Sequence, residues 1–295
     1  MMLCVTLGYA SIAALSKRLM QHYPVGMVAW VRYAVPWSIA LLGVIRHGDR
    51  RPWHCADPGW QILRSTLMIA GTILIMLAYH ALPLAQALAI SSIHPVLLTV
   101  LAACILRERV PALTWVSATL GFVGVIVIVR PGGGLFRAAS LLPLAMAFTY
   151  AGYMALTRKL ARREAPRRSL LYGMTVGTLV TTLMLPLDWV QPGLRALGMF
   201  ALVGVLSGVT HWLMIKALEA APASVLAPIS YLQLVWSIAW GALLFAEVPD
   251  LATLAGIAIV TASGLLLAFA QRRTTEDAVS GTVPPTSAGL RAIRA

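Results

Sequence analysis

Long apolar runs separated by short polar connections are the feature that most constrains the fold of this 295-residue chain. Ten runs can be counted, each near the roughly 20 residues that a membrane-spanning helix needs. They cover approximately residues 2–16, 25–45, 63–80, 84–105, 112–129, 140–157, 169–187, 196–215, 222–245 and 251–270. Because backbone polar groups must pair internally in lipid, each run is predicted to form a helix. We therefore predict an all-α integral membrane protein with ten transmembrane helices.

The composition is typical of a chain that has a bilayer as its solvent. Apolar residues make up 59% of the chain and charged residues 11%, whereas a soluble domain typically carries about 25% charged residues. The net charge of +13 comes from basic residues at the ends of the runs, not on one face, so nucleic acid is not expected as a partner. The three cysteines form no CxxC pair, and neither a disulfide framework nor a metal or cofactor site is indicated.

The distribution of Lys and Arg predicts the orientation in the membrane. Seventeen of the 23 basic residues fall at connections on one side and five on the other, while Arg32 falls inside the second run. By the positive-inside rule, the richer side is cytoplasmic and holds both termini. We expect a monomer in the inner (plasma) membrane, with residues 272–295 as a disordered cytoplasmic tail.

The two halves of the chain resemble each other. The stretch "ALPLAQA" at 81–87 is similar to "ALEAAPA" at 217–223, and "YASIAALSKRL" at 9–19 is similar to "YAGYMALTRKL" at 150–160. Each half holds five runs, and because five is odd, the second half would enter the membrane from the opposite side. We therefore predict two inverted five-helix repeats, residues 1–130 and 131–271. This symmetry is expected of a secondary transporter, with its substrate site between the halves near the membrane midplane.

These motifs give the chain a resemblance to the drug/metabolite transporter superfamily, in its EamA-type branch. The resemblance rests on "AYHALPLAQALAISSIHPVLLTVLAACILRERV" followed by "GFVGVIVIVRPG", and on "VLAPISYLQLVWSIAWGALLFAEVP" in the second half. It implies a transporter of small organic metabolites, among them amino acids, nucleotide-related compounds and organic anions. It also implies a central cavity surrounded by the first, third, fourth, sixth, eighth and ninth helices, with the fifth and tenth helices at the rear.

Polar side chains inside the runs are the candidate substrate-binding residues, because polar groups are costly in lipid. In the fourth run, Ser91 and His94 share a helix face, and Pro95 interrupts the helix beside them. Their alternative role is a hydrogen bond that only packs the helices together. The remaining candidates, several of them aromatic and able to stack on an amphipathic solute, are Tyr79, Tyr150, Tyr153, His211, Trp212, Tyr231 and Gln233.

From the sequence, we predict that Arg32 is the only basic residue well inside a run. Its guanidinium offers a planar fork to a carboxylate or phosphate of the substrate. Alternatively, Arg32 extends its charge to the membrane surface and has a structural role.

Glu108 and Glu247 stand at helix ends, where we expect them to cap the fifth and tenth helices rather than carry protons. Small residues predicted to allow close packing of those two helices are Ser117, Gly121, Ala258 and Ala262.

The acidic residues all fall in connections, helix ends or the tail, which disfavours an ion pump. The sequence also contains no catalytic triad, phosphate-binding loop or metal cluster, which disfavours an enzyme. His94 and His211 remain, and a buried histidine without an acidic partner stays neutral.

We therefore predict facilitative transport by alternating access, as export of amino acids or related compounds. The alternative is uptake, or proton-coupled transport, of a nucleotide- or amino-acid-derived metabolite or organic anion. Outside this class, a membrane-embedded enzyme or a lipid scramblase is the alternative.

Overall fold

The computed structural model describes residues 1–46, 55, 57–106, 112–130, 138–160, 166–187, 189–220 and 229–279. Within these residues the chain is helical and contains no strand, which confirms the all-α prediction. The eleven α-helices bounded there are α1 Met2–Leu19, α2 Val25–Arg46, α3 Pro58–Ala81, α4 Leu84–Ser91, α5 His94–Leu106, α6 Ala112–Val129, α7 Leu141–Leu160, α8 Pro166–Met184, α9 Leu194–Ala220, α10 Leu232–Phe245 and α11 Leu251–Val279. Short 3-10 turns precede α7 and follow α8.

Several of these helices are suited to cross a membrane. Five are long and apolar enough by themselves, namely α2, α3, α7, α9 and α11, and shorter apolar segments lie in α4–α5, α6, α8 and α10. Large apolar side chains are exposed on the outside of the bundle, among them Phe122, Leu183 and Phe269. An extensive apolar surface of this kind is what a protein surrounded by lipid presents.

The fourth apolar run is divided into two helices rather than continuous. α4 ends at Ser91, and α5 begins at His94 after a short turn. Pro95 cannot donate the helical hydrogen bond to the Ser91 carbonyl. The hydroxyls of Ser91 and Ser92 both donate to Leu88 O, at 2.9 and 2.8 Å. The predicted interruption is therefore confirmed, and it leaves the Ser91 carbonyl available to another donor.

Most of the extensive helix contacts join the two halves of the chain. α1 packs on α9 and α10, α2 packs on α8 and α9, and α3 packs on α7 and α8. α4 contacts α10 and α7, α5 contacts α7, and α6 contacts α11. Within the described residues, the largest cluster of buried apolar side chains extends over most of the helices and includes Ile12, Met76 and Leu84, which are almost fully buried.

α6 and α11 form a tightly packed pair. The Ser117 hydroxyl donates to Ser263 O at 2.6 Å, and the Ser263 hydroxyl donates to Ser117 O at 2.9 Å. A Cβ atom on Gly256 would lie 2.9 Å from Gly124 O, so the two backbones approach as only glycine permits. Two reciprocal hydrogen bonds and a glycine contact thus fix this helix pair.

The face of α11 that meets α6 differs from the one predicted. Ala258 and Ala262 are exposed, whereas Gly256 and Ser263 are turned toward α6. Neighbouring helix positions are about 100° apart, so only one of Ala262 and Ser263 can face α6. Ser263 takes this position because its hydroxyl finds an acceptor there. On α6, the predicted packing role of Ser117 is confirmed.

α11 also continues past residue 272, where the disordered tail was predicted to begin. It ends at Val279. The added segment "RRTTEDAV" contains neither Gly nor Pro and includes Arg, Glu and Ala, which favour helix. The helix therefore extends up to the "SG" pair at 280–281. The rest of the predicted tail, residues 280–295, lies outside the described residues.

Candidate functional site

Five ring side chains from four helices form two groups of contacting rings inside the bundle, and we call the five the ring cluster. They are Tyr9 on α1, His94 on α5, Tyr150 and Tyr153 on α7, and His211 on α9. His94 and Tyr150 meet edge to face with ring centroids 4.8 Å apart, and Tyr9 and His211 meet in the same way at 5.7 Å. The Tyr150 and Tyr153 centroids are 5.4 Å apart. Such offset and edge contacts are the favoured arrangements of aromatic rings.

Both tyrosine–histidine contacts join the two halves of the chain. Tyr9 comes from the first half and meets His211 from the second, while Tyr150 comes from the second half and meets His94 from the first. Tyr9 and Tyr150 are also the matching residues of the repeated sequence segments. A solute held against these rings would contact both halves at once.

The local sequence fixes the orientation of both histidine rings. His94 Nδ1 lies 3.0 Å from Ser91 O, and His211 Nδ1 lies 3.0 Å from Ser207 O. A carbonyl oxygen only accepts hydrogen bonds, so Nδ1 carries the hydrogen in each ring. In the neutral rings, Nε2 is therefore an acceptor. For His94, the carbonyl is the one that Pro95 leaves without its helical donor.

Arg32 supplies a positive charge within electrostatic range of the ring cluster. It is half-buried on α2, and its charge acts on Tyr9, Tyr79 and His211, so the guanidinium lies near them. Neither of the two ion pairs in the described part of the chain includes Arg32. The five N–H donors of its guanidinium are therefore not committed to a carboxylate there.

Arg64 lies about as deep in the span of α3 as Arg32 lies in the span of α2, so the prediction that Arg32 would be the only basic residue well inside a run is wrong. Arg64 is 4% exposed. α3 begins at Pro58, earlier than the predicted start of the third run at residue 63. The sequence prediction placed Arg64 with the residues of a connection because it follows the polar stretch that precedes that run.

The Arg64 guanidinium ties three helices together beside the ring cluster. It stacks on the Tyr153 ring, 4.9 Å from the centroid. Its hydrogen bonds go to acceptors on α3, α7 and α8: Gln61 Oε1 at 3.3 Å, Tyr153 OH at 3.3 Å, Thr157 Oγ1 at 2.8 Å and Ser169 O at 2.9 Å. All four acceptors are neutral oxygens, so none of the hydrogen bonds with which Arg64 holds Tyr153 in position goes to a carboxylate.

The remaining predicted site residues make other contacts. Tyr79 is buried near Arg32. Ser91 is buried and its hydroxyl bonds within α4. Tyr231 packs against Gly264 of α11, Gln233 is half-buried on α10, and Trp212 is 58% exposed. Trp212 faces away from the ring cluster because its neighbour His211 is turned inward, about 100° around the helix.

A second polar group lies at the end of the bundle where α1 ends, α3 turns into α4 and α10 turns into α11. Lys17 Nζ lies 2.6 Å from Glu247 Oε1 and donates to Leu82 O at 2.7 Å. The backbone N–H of Leu84 donates to Glu247 Oε2 at 2.9 Å. A cavity of about 630 Å³ lies beside this ion pair, lined in part by Arg18 and His80.

Glu247 therefore caps α4 and not α11, contrary to the prediction. Asp250 caps α11, since Thr253 N donates to Asp250 Oδ1 at 2.9 Å. Asp250 precedes the helix directly, whereas Glu247 lies too far ahead of the first turn. Hydrogen bonds from Thr253 and from Arg130 lower the pKa of Asp250 to about 2. Glu108, the other predicted cap, lies outside the described residues.

A helical bundle with an apolar surface and an internal polar cluster built from both halves has the architecture of a membrane transporter. A model of the EamA-like transporter family matches residues 1–130 and 137–269. The chain belongs to this family, which confirms the resemblance seen in the sequence, and it is a small-molecule transporter rather than an enzyme.

Three curated relatives are similar over most of their length. A riboflavin transporter of Vibrio cholerae is 29% identical over 81% of each chain. An S-adenosylmethionine uptake transporter of Rickettsia bellii is 26% identical over 80% of this chain and 81% of its own. The pseudopaline exporter CntI of Pseudomonas aeruginosa is 26% identical over 68% of this chain and 72% of its own.

A solved crystal structure shares the fold. It matches with a TM-score of 0.64 at 15% identity, over 92% of this chain and 98% of its own. At this identity the likeness concerns the fold alone.

Proposed function

We propose that the chain moves a small solute with a planar ring, neutral or anionic, across the inner membrane by alternating access. In this proposal the ring cluster and Arg32 hold the solute between two inverted repeats, residues 1–130 and 131–271. The observation that carries the proposal is that both tyrosine–histidine contacts of the ring cluster join the two halves. A site shared in this way is rebuilt when one half moves against the other.

The packing pattern supports the inverted repeats. If α1 is exchanged with α7, α2 with α8 and α3 with α9, the α1–α9 pair becomes α7–α3, and the α2–α9 pair becomes α8–α3. Both resulting pairs are present in the bundle. The α2–α8 pair is unchanged by the exchange. This is the pattern expected of two halves related by an approximate two-fold axis.

The chemistry of the site supports the substrate class. The ring faces of the cluster can stack on a planar ring. The Arg32 guanidinium donates hydrogen bonds to carbonyl, carboxylate or phosphate oxygens. The Nε2 atoms of His94 and His211 accept from N–H or O–H groups of the solute. No Asp or Glu lies within the middle of an apolar run, so the site has no carboxylate to hold a cation.

The substrates named for the relatives fit the proposed substrate class to different degrees. The riboflavin named for the Vibrio cholerae relative is a neutral planar ring compound with carbonyl, N–H and O–H groups. The S-adenosylmethionine named for the Rickettsia bellii relative carries a positive sulfonium, which Arg32 would repel. The amino-acid export predicted from the sequence fits less well, because an ammonium group would find no carboxylate in the runs.

We infer that transport is facilitated and not coupled to protons. Proton coupling needs a group that titrates and faces each side in turn, and no carboxylate lies in the middle of a run. Each histidine of the ring cluster has Nδ1 bonded to a carbonyl of its own helix. The solute would then move down its own gradient, in the direction set by the cell's supply of it.

Ligand binding tests the substrate class. The purified protein in lipid nanodiscs is heated with riboflavin, riboflavin phosphate, S-adenosylmethionine or alanine. We expect the two flavins to raise the melting temperature, because they match the rings, donors and acceptors of the site. S-adenosylmethionine and alanine are expected to leave it unchanged. Stabilisation by the cation alone would contradict the proposal.

Variants of Arg32 test its role in the same assay. Arg32→Lys keeps the charge but loses the planar fork, so riboflavin phosphate should bind at least about tenfold more weakly. An arginine that only extends to the membrane surface would tolerate lysine. Trp212→Phe is the matched control, since Trp212 lies beside His211 in sequence but faces outward. It should bind both flavins like the unchanged protein.

A further inference from the structure

The Lys17–Glu247 ion pair joins three connections at one end of the bundle. Lys17 lies at the end of α1 and also donates to Leu82 O, in the turn between α3 and α4. Glu247 lies in the turn between α10 and α11 and accepts from Leu84 N at the start of α4. Any motion that separates α1, α4 and α10 at this end must break these hydrogen bonds.

The contact is short, charged and partly shielded from solvent. The side chains of Lys17 and Glu247 are 10% and 26% exposed, and their N···O distance is 2.6 Å. Charge-assisted hydrogen bonds of this length are about twice as strong as neutral ones. The pair therefore holds the end of the bundle closed more firmly than an exposed surface pair would.

The ion pair lines the cavity at this end of the bundle. The cavity of about 630 Å³ is lined by Lys17 and Glu247 together with Arg18, Gln21 and His80. Along α1, Lys17 follows Tyr9 of the ring cluster by about 12 Å, at 1.5 Å per residue. Of the α1 residues that line the cavity, Lys17 is the nearest to Tyr9 along the helix, so a solute that moves along α1 from the cavity meets the ion pair first.

We propose that Lys17 and Glu247 form the gate of the transporter at this end, closed in the present structure, and that the cavity is its entrance vestibule. The proposal rests on the alternating-access function. By the distribution of basic residues, this end is the one predicted to face away from the cytoplasm. The Arg130–Asp250 ion pair provides the contrast, because it joins α6 to α11 at 2.6 Å, and none of its hydrogen bonds within the described part of the chain reaches α1 or α4.

Ser16 offers a reporter for the opening of the gate. It is 0% exposed and lies on the same face of α1 as Tyr9, seven positions further along. Ser16→Cys is made in a chain without native cysteines, and labelling by a membrane-impermeant thiol reagent is timed in right-side-out and inside-out vesicles. Gln21→Cys, at an exposed position of the same end, identifies the vesicles in which this end faces the reagent.

Two single substitutions open the proposed gate in different ways. Glu247→Gln removes the charge but keeps a carbonyl oxygen for Leu84 N, and Lys17→Met removes the cation. In vesicles that expose Gln21→Cys, each should raise the labelling rate of Ser16→Cys by about tenfold or more. Arg130→Met, the matched control, removes an ion pair of the same length at the same end and should leave the rate unchanged.

Equal labelling rates in all variants would overturn the gate, and so would an equal rise in Arg130→Met. The double variant, Lys17→Met with Glu247→Gln, guards against a change that merely loosens the fold. Both substitutions remove the same ion pair, so the double variant should label about as fast as the faster single variant, whereas rate increases that multiply would also overturn the gate. The assay uses no solute, so its result is independent of whether flavins bind.

Discussion

Arg64 is a buried cation that sequence patterns did not single out, and its surroundings explain how the bundle accommodates it. Each hydrogen bond of its guanidinium ends on a neutral oxygen of α3, α7 or α8. The planar fork reaches several directions at once, which an ammonium group cannot do. Arg64 therefore works as a joint between helices and as the support of Tyr153.

We expect Arg64→Lys to lower the stability of the protein by about 1–3 kcal/mol, because buried acceptors such as Ser169 O lose their donors. The melting temperature in detergent measures this effect. Arg195→Lys is the matched control: Arg195 is exposed, so the same substitution there should change stability by no more than about 0.5 kcal/mol. Equal melting temperatures of the two variants would contradict the role of Arg64.

At the scale of helices, the α6–α11 pair depends on close backbone approach. Gly256→Val places side-chain atoms where Gly124 O and Ile128 already lie. We expect it to destabilise the protein by about 1–3 kcal/mol or more through overpacking. Ala262→Val adds comparable volume to the exposed face of the same helix and should have little effect. A larger loss of stability in Ala262→Val would show that the packed face is assigned wrongly.

Asp250 caps the start of α11, and its carboxylate contributes to the stability of the fold only within a defined pH range. With the pKa of Asp250 lowered to about 2, below the unfolded value of about 3.9, the carboxylate favours the folded state above about pH 4. This contribution is lost as the pH falls from about 4 to about 2. Asp250→Ala should therefore lower the melting temperature at neutral pH and approach the unchanged protein near pH 2.

The size of the Asp250 effect should match the loss of a helix cap, about 0.5–2 kcal/mol. Arg130→Met is the control for the ion pair, because it leaves the bond from Thr253 N to Asp250 intact. It should have the smaller effect, since exposed ion pairs contribute little. If Arg130→Met costs as much as Asp250→Ala, the ion pair and not the cap stabilises this end.

For the whole molecule, the orientation in the membrane follows from the basic residues. We expect Cys55, in a chain without Cys4 and Cys104, to resist an impermeant thiol reagent in intact cells. Gln21→Cys, in a chain without native cysteines, should react, because it lies at the end predicted to face outward. The reverse labelling pattern would place both termini outside. This labelling tests the orientation, while the monomeric state and the absence of a nucleic-acid partner stay predictions.

The sequence predicted those features that hydrophobic periodicity and repetition control. The apolar runs predicted the helices, and the matching stretches around Tyr9 and Tyr150 indicated two residues that meet histidines across the bundle. Pro95 predicted the break between α4 and α5. These signals are local in sequence, so a single chain reveals them.

The contacts that the sequence did not predict are long-range. Lys17 and Glu247 are 230 positions apart, and the pattern around each of them gives no sign of the other. Arg64 reaches partners on α7 and α8 that no local pattern relates to it. On α11, the choice between Ala262 and Ser263 depends on which acceptor α6 offers. Polar residues at the ends of helices find partners through the tertiary fold, which periodicity does not specify.

The separation between the α6–α11 pair and the ring cluster has a consequence for evolvability. The reciprocal serine bonds and the glycine contact stabilise two helices that supply no ring to the site. Selection for a new cargo can therefore act on Tyr9, His94, Tyr150 and His211 while the stabilising pair is left intact. A combinatorial library at these four positions, sorted by growth on alternative nutrients, would explore new cargoes with few losses to misfolding.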